Sequence, residues 1–170
     1  MTRGDFGLRA LYDALDAKRC ERQMSWAAVA AEVNRFRTKL RPIAVSTIVS
    51  LRDKPIGEGD GILQMLLWLG RAPESFMPDV ADADAARYRL PELVVGQILR
   101  WNTRALYAAV DARRRERHAT LAEVARAIGG FTPSMLTNLA RGPRVGFPRV
   151  MRLVRWLDRP AVEFTRIAAW

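Results

Sequence analysis

Thr120–Gly142 reads TLAEVARAIGGFTPSMLTNLARG. Thr120 is a good helix N-cap, and Glu123 three residues later completes a capping-box pattern, so a short helix is expected to begin at Leu121. Val124, Ala125 and Ile128 supply its apolar side, and Gly129-Gly130 stops it, because glycine readily takes the left-handed backbone that closes a helix. Thr132-Pro133 then opens a second helix, with Thr132 as N-cap and proline at the first helical position, where its missing N–H costs nothing. Leu136 and Leu139 are its buried residues and Gly142 its end. Two short helices joined by a tight glycine-containing turn make a helix-turn-helix.

The chain contains this arrangement twice. Leu11–Ala30 reads LYDALDAKRCERQMSWAAVA and Leu106–Ala125 reads LYAAVDARRRERHATLAEVA, with 11 of 20 positions identical at an offset of 95. Segments of average composition would match at about one or two positions. After a break the match resumes at an offset of 88: Ser46, Ile48, Ser50 and Leu51 lie over Ser134, Leu136, Asn138 and Leu139, and Trp68-Leu69 over Trp156-Leu157. The first copy therefore carries seven extra residues between its central helices, within Asn34–Ile43, NRFRTKLRPI. An internal duplication is the main architectural fact.

Each copy reads as four or five helices. Helix one is expected at about Leu8–Arg22 or Thr103–His118, with Asn102 as N-cap of the latter, and helix two at Trp26–Asn34 or Leu121–Ile128. Helix three is expected at Val45–Asp53 or Pro133–Arg141. Helix four carries Ile62, Met65, Leu66 and Leu69, or Val150, Leu153, Val154 and Leu157, each set spaced to bury one face. A last turn at Pro73–Met77 or Ala161–Ile167 closes each unit. No stretch shows the two-residue alternation of a strand, so the expected class is all-α: two tandem domains, residues 1–77 and 98–170, joined by a linker at 78–97. Pro78–Pro91 has the prolines, acids and lack of period of a linker, and Glu92–Trp101 is a candidate for packing between the repeats. Trp68 and Trp156 flank the buried stripe; they are read as filling their own domain's core, with a meeting across the repeat interface as the alternative.

Composition bounds the function. The net charge is +10, with about +3 on residues 1–77, −2 on 78–97 and +9 on 98–170. A concentrated positive field attracts polyanions, of which nucleic acid is the commonest in a cell. A single cysteine, Cys20, and a single histidine, His118, leave no internal disulfide and no zinc set. The charged start of the chain lacks a signal peptide's apolar centre, and no long apolar run spans a membrane, so a cytoplasmic protein is expected. The acid pairs Asp13/Asp16 and Asp82/Asp84 have no histidine or nucleophile nearby in sequence, and the reading is not an enzyme.

The order of parts resembles the lambda-repressor-like, Cro-type helix-turn-helix domain of bacterial and phage regulators. The matching residues are Ser25–Ala30 with Val45–Ile48, and Thr120–Ala125 with Leu136, Leu139 and Gly142. The first copy departs from the pattern where NRFRTKLRPI replaces the short glycine turn. The resemblance implies that helix three enters the major groove, while the N-terminus of helix two, at Ser25 or Thr120, faces phosphate. In the second copy Thr132, Pro133, Ser134, Thr137 and Asn138 would face the groove, Asn138 being able to pair bidentately with adenine. In the first copy the same surface is Ala44, Val45, Ser46 and Ser50, supplemented by the basic insertion Arg35, Arg37, Lys39 and Arg41. Arg141, Arg144, Arg52 and Lys54 at the helix-three exits would hold phosphates. The Arg113–Arg117 run is read chiefly as a solvated helix face. Ile48, Leu51, Leu136 and Leu139 are core.

The implied function is a sequence-specific double-stranded-DNA-binding transcriptional regulator, most simply a repressor, with two recognition helices in one chain on adjacent major grooves. The alternative gives one repeat to DNA and the other to a protein partner, as in an antitoxin or a polymerase-associated adaptor. No cofactor, metal, membrane or small-molecule effector is indicated. The expected state is a monomeric pseudo-dimer or a homodimer.

Overall fold

The computed structural model describes residues 6–38, 41–78, 80, 87–142 and 145–170. The first copy comprises α1 (Leu8–Glu21), α2 (Trp26–Val33), α3 (Val45–Val49) with a 3-10 turn at Ser50–Arg52, α4 (Gly59–Leu69) and a 3-10 turn at Pro73–Phe76. Strand β1 (Gln97–Trp101) leads into the second: α5 (Thr103–Glu116), α6 (Leu121–Ile128), α7 (Pro133–Leu139), α8 (Phe147–Leu157), a 3-10 turn at Ala161–Phe164 and strand β2 (Thr165–Ala169). The first two helices of each copy begin and end 95 residues apart, and α4/α8 and the closing turns 88 apart, the same two offsets that align the sequences.

Local chemistry repeats with the elements. Left-handed residues close helix one at Gln23 and at His118, and helix four at Gly70 and at Asp158, so the backbone keeps its form where the side chain has changed. Thr120 and Glu123 form the reciprocal capping box, and Thr132 and Asn102 cap α7 and α5 through their side chains. In α1 the Arg19 guanidinium binds Asp16 and the Met24 carbonyl; in α5 Arg114 binds Asp111 and the Ala119 carbonyl. Each arginine thus ties the end of helix one to the turn before helix two.

The all-helical expectation fails at one place. β1 and β2 pair antiparallel, Gln97 with Ala169 through Trp101 with Thr165, so the closing turn ends at Phe164 and Thr165–Ile167 is strand. The alternation is hidden because Ile98 and Leu99 are both buried and β2 is short. The ribbon docks on the first copy: Gln64 Nε2 donates to the Leu99 carbonyl at 2.8 Å, and the Trp101 N–H donates to Asp60 Oδ1 at 3.0 Å. From the segment before β1, Leu90 and Leu93 are buried in the core.

One apolar cluster runs through both copies. At its seam Phe76, Phe6, Phe147 and Trp101 pack in sequence at tilted and edge-to-face angles, with successive centroids 5.7, 4.6 and 5.4 Å apart. Phe147 and Gly59 occupy the same repeat position, the first of helix four. A Cβ at Gly59 would lie 2.6 Å from Trp101 Cδ1 and 2.8 Å from the Val145 carbonyl, so the small residue makes room for what the large one's copy brings. Beside it Glu58 bridges Gly146, its own counterpart at offset 88, and the Phe147 N–H donates to the Gly57 carbonyl at 3.0 Å. Equivalent positions of the two copies thus meet at the seam, as they do in an isologous dimer.

Glu74 links the copies on the other side. It is 4% exposed, its Oε1 accepts the Ala161 N–H at 2.6 Å, and its Oε2 has no partner among the described residues. Burial holds this carboxyl above the usual range. The folded protein therefore keeps a proton that the unfolded chain has released, and stability is full below about pH 4.5 and lost as pH rises through the native value. Glu74→Gln, which cannot ionise, is expected to melt increasingly above the wild type as pH rises from roughly 4 to 8. Thermal midpoints across that range check it, and a difference that does not change with pH would contradict it.

Candidate nucleic-acid interface

In α7 the buried residues are Leu136 and Leu139, and the remaining surface carries Thr132, Pro133, Ser134, Thr137 and Asn138 into solvent together. The Asn138 amide makes no side-chain hydrogen bond among the described residues, so its donor and acceptor are both available. Thr132 Oγ1 receives the Met135 N–H and lies 3.0 Å from Ser134 Oγ, and Thr137 Oγ1 donates to the Pro133 carbonyl. These hydroxyls are oriented by the helix itself.

The first copy is plainer. Ala44, Val45 and Ser46 are exposed at the start of α3, over buried Ile48 and Leu51. Ser50 is half-buried and its hydroxyl donates to the Thr47 carbonyl. Arg52 is exposed but paired with Asp53 at 3.0 Å, while Lys54 is exposed.

The helix-two N-termini differ. Ser25 caps the Ala28 N–H with no acid beside it. At Thr120 the Glu123 carboxylate accepts from both the backbone N–H and the hydroxyl, at 2.7 and 2.8 Å, and is held below its usual pKa by those bonds. A phosphate approaching α6 meets that negative charge, so the copy with the better capping box has the less receptive N-terminus.

The insertion is tied down at its base and apex. Asn34 Nδ2 donates to the Ile43 carbonyl and Asn34 Oδ1 accepts the Ile43 N–H, at 2.9 and 2.8 Å. The Gly96 N–H donates to the Phe36 carbonyl, and Thr38 donates through both its N–H and its hydroxyl to the Trp170 carbonyl. The insertion is thereby attached to the ends of the ribbon. Arg35, Arg37 and Arg41 are exposed, with Arg35 stacked on Phe36 at 4.5 Å. Arg35 and Phe36 also line an apolar cavity of about 800 Å³ with Arg71 and Tyr88, beside the C-terminal end of α4. Lys39 and Arg144 lie outside the described residues.

Arg141 is exposed just beyond α7 and lines a cleft of about 540 Å³ with Arg100, Arg104 and Arg166. Sequence reasoning missed the last three, because they reach the cleft from β1, α5 and β2, and the ribbon itself was not foreseen. Trp68 and Trp156 do not meet across the seam: Lys18 and Arg22 cover Trp68, and Arg113 and Arg117, their repeat counterparts, cover Trp156. The Trp68 Nε1–H donates to Glu32 at 2.7 Å, a carboxylate whose counterpart in the second copy is Ala127. The Arg113–Arg117 run therefore covers Trp156 and, through Arg114, fastens the helix end.

Among the described residues no group of three His, Cys, Asp or Glu is placed to hold a metal ion, and no helix is long and apolar enough to cross a membrane. Compared with known proteins, the chain matches no protein family, no curated protein and no solved structure.

Proposed function

We propose that this protein is a double-stranded-DNA-binding regulator in which one chain supplies both halves of a two-fold reader. The observation that carries the reading is the bridge between Glu58 and its own counterpart Gly146. Two halves meeting at equivalent positions support a reader that works as a repressor dimer does, whose two third helices lie on successive major-groove faces about 34 Å apart. The exposed polar row on α7 above buried Leu136 and Leu139, and the excess positive charge of residues 98–170, support the same reading. Covalent linkage raises the effective concentration of the second contact, so affinity accrues without self-association. Because α7 offers Asn138 where the turn after α3 offers Ser50, the preferred site is an imperfect repeat.

The continuous core argues for testing the reading in the intact chain. After selection of a bound duplex from a random pool, Asn138→Ala is expected to relax preference at one base pair by about 1–3 kcal/mol. Arg141→Ala is expected to weaken all sequences alike and reduce the salt slope by about one. Anisotropy titrations at several salt concentrations separate the two, and identical behaviour of both variants would sink the assignment. Val45 at 36% and Ile56 at 58% exposure favour a second reading, in which the first copy docks a protein while the second holds DNA. A selected site only one half-site long would turn the choice that way.

A further inference from the structure

The cleft beside the seam is built unlike the rest of the surface. Arg100 and Arg166 stand directly opposite each other across the two-stranded ribbon. Like charges in that position are destabilising. Arg100 has partial relief from Asp60 at 3.5 Å. Arg104, Arg141 and Arg166 make no side-chain hydrogen bond or ion pair among the described residues, although arginines elsewhere in the chain commonly do. Four guanidiniums from four segments thus line one cavity of about 540 Å³, against two carboxylates, Glu58 and Asp60, from the start of α4, leaving an excess of positive charge. Trp101, also lining it, is 6% exposed, and its buried Nε1–H, packed against Gly59, has no acceptor among the described residues. Asp60 attracts both Arg100 and Arg166, and the guanidiniums left without an ion pair among the described residues suit an occupant rich in acceptors and negative charge.

We infer that this cleft binds a phosphate-bearing polyanion, seated on Arg104, Arg141 and Arg166. Guanidinium forks match phosphate oxygens bidentately, and the volume falls within the range of small-molecule sites. The phosphate can come from the backbone of a bound duplex or from a free polyphosphate. Only the first source rests on the DNA reading; the second stands apart from it. A free anion there would occupy Arg141 and compete with duplex, which makes the cleft a place where a soluble phosphate compound regulates binding.

The test uses the full chain, tripolyphosphate as probe and thermal unfolding as readout. The wild-type midpoint is expected to rise saturably, by roughly 5–10 °C once the anion reaches about a hundred times its Kd. Arg104→Gln/Arg166→Gln should lose that response, and Arg166→Gln alone should melt roughly 1–3 °C above the wild type without anion, the cross-strand repulsion being gone. Arg117→Gln/Arg126→Gln removes the same charge elsewhere on the second copy and should keep the response. If tripolyphosphate does nothing but the cleft variant alone lowers the duplex salt slope by about two, the phosphate belongs to the duplex. If the cleft and control variants behave alike in both assays, only diffuse charge is at work and the inference is overturned. A chain that answers tripolyphosphate but binds no duplex would sink the DNA reading and leave the cleft standing. A chain that binds duplex with cleft variants matching controls would do the reverse.

Discussion

Replacing Phe147 by alanine is expected to destabilise the protein by about 3–5 kcal/mol. The side chain is fully buried and touches both copies, Phe6 from the first and Trp101 from the segment that opens the second. Its helix position holds glycine in the other copy, so no equivalent ring can move in to fill the space. The collapse that softens many cavity mutations is blocked here by backbone, because the Phe147 N–H and Gly57 carbonyl fix the seam at that point. Chemical denaturation should show a lower midpoint. Since the two copies share one core, a single transition is expected in both proteins. A loss below about 1 kcal/mol, or separate melting of two halves, would mean that the seam does not hold the copies together.

Ser134→Asp should leave the fold intact and lower duplex affinity by about a hundredfold to ten-thousandfold. Ser134 is exposed in the first turn of α7, where a carboxylate interacts favourably with the helix dipole and can accept from the Thr132 hydroxyl. The thermal midpoint is therefore expected to hold or rise slightly. Duplex presents phosphate and base-edge acceptors to that same turn, and a carboxylate among them is repelled. Losing one of two linked readers removes the effective-concentration advantage, which sets the size of the drop. The measurement pairs anisotropy titration of a selected duplex with a melt of the same sample. An unchanged midpoint with unchanged affinity would remove α7 from the interface.

Much of this architecture is written locally. Thr120 with Glu123, Thr132 with Pro133, and Gly129 and Gly142 encode two short helices and the turns that end them, because caps and left-handed turns are short-range chemistry. The duplication was legible for the same reason: two offsets align the sequences, and the helices follow them. The row on α7 follows from the family resemblance, and its residues are exposed beside buried Leu136 and Leu139.

What the sequence could not supply lies between the copies. The ribbon joins residues 64 to 72 positions apart through backbone hydrogen bonds, which leave no side-chain signature in either strand. Nothing local marks Gly59, whose small size matters only because Trp101 and Val145 lie against it. Arg100, Arg104, Arg141 and Arg166 are scattered among many arginines, and only the packing of ribbon, α5 and the α7 exit turns them into one cleft. Local patterning thus determined the helices and their repetition. Tertiary packing decided the seam and the convergence of charge, because those depend on which distant surfaces meet.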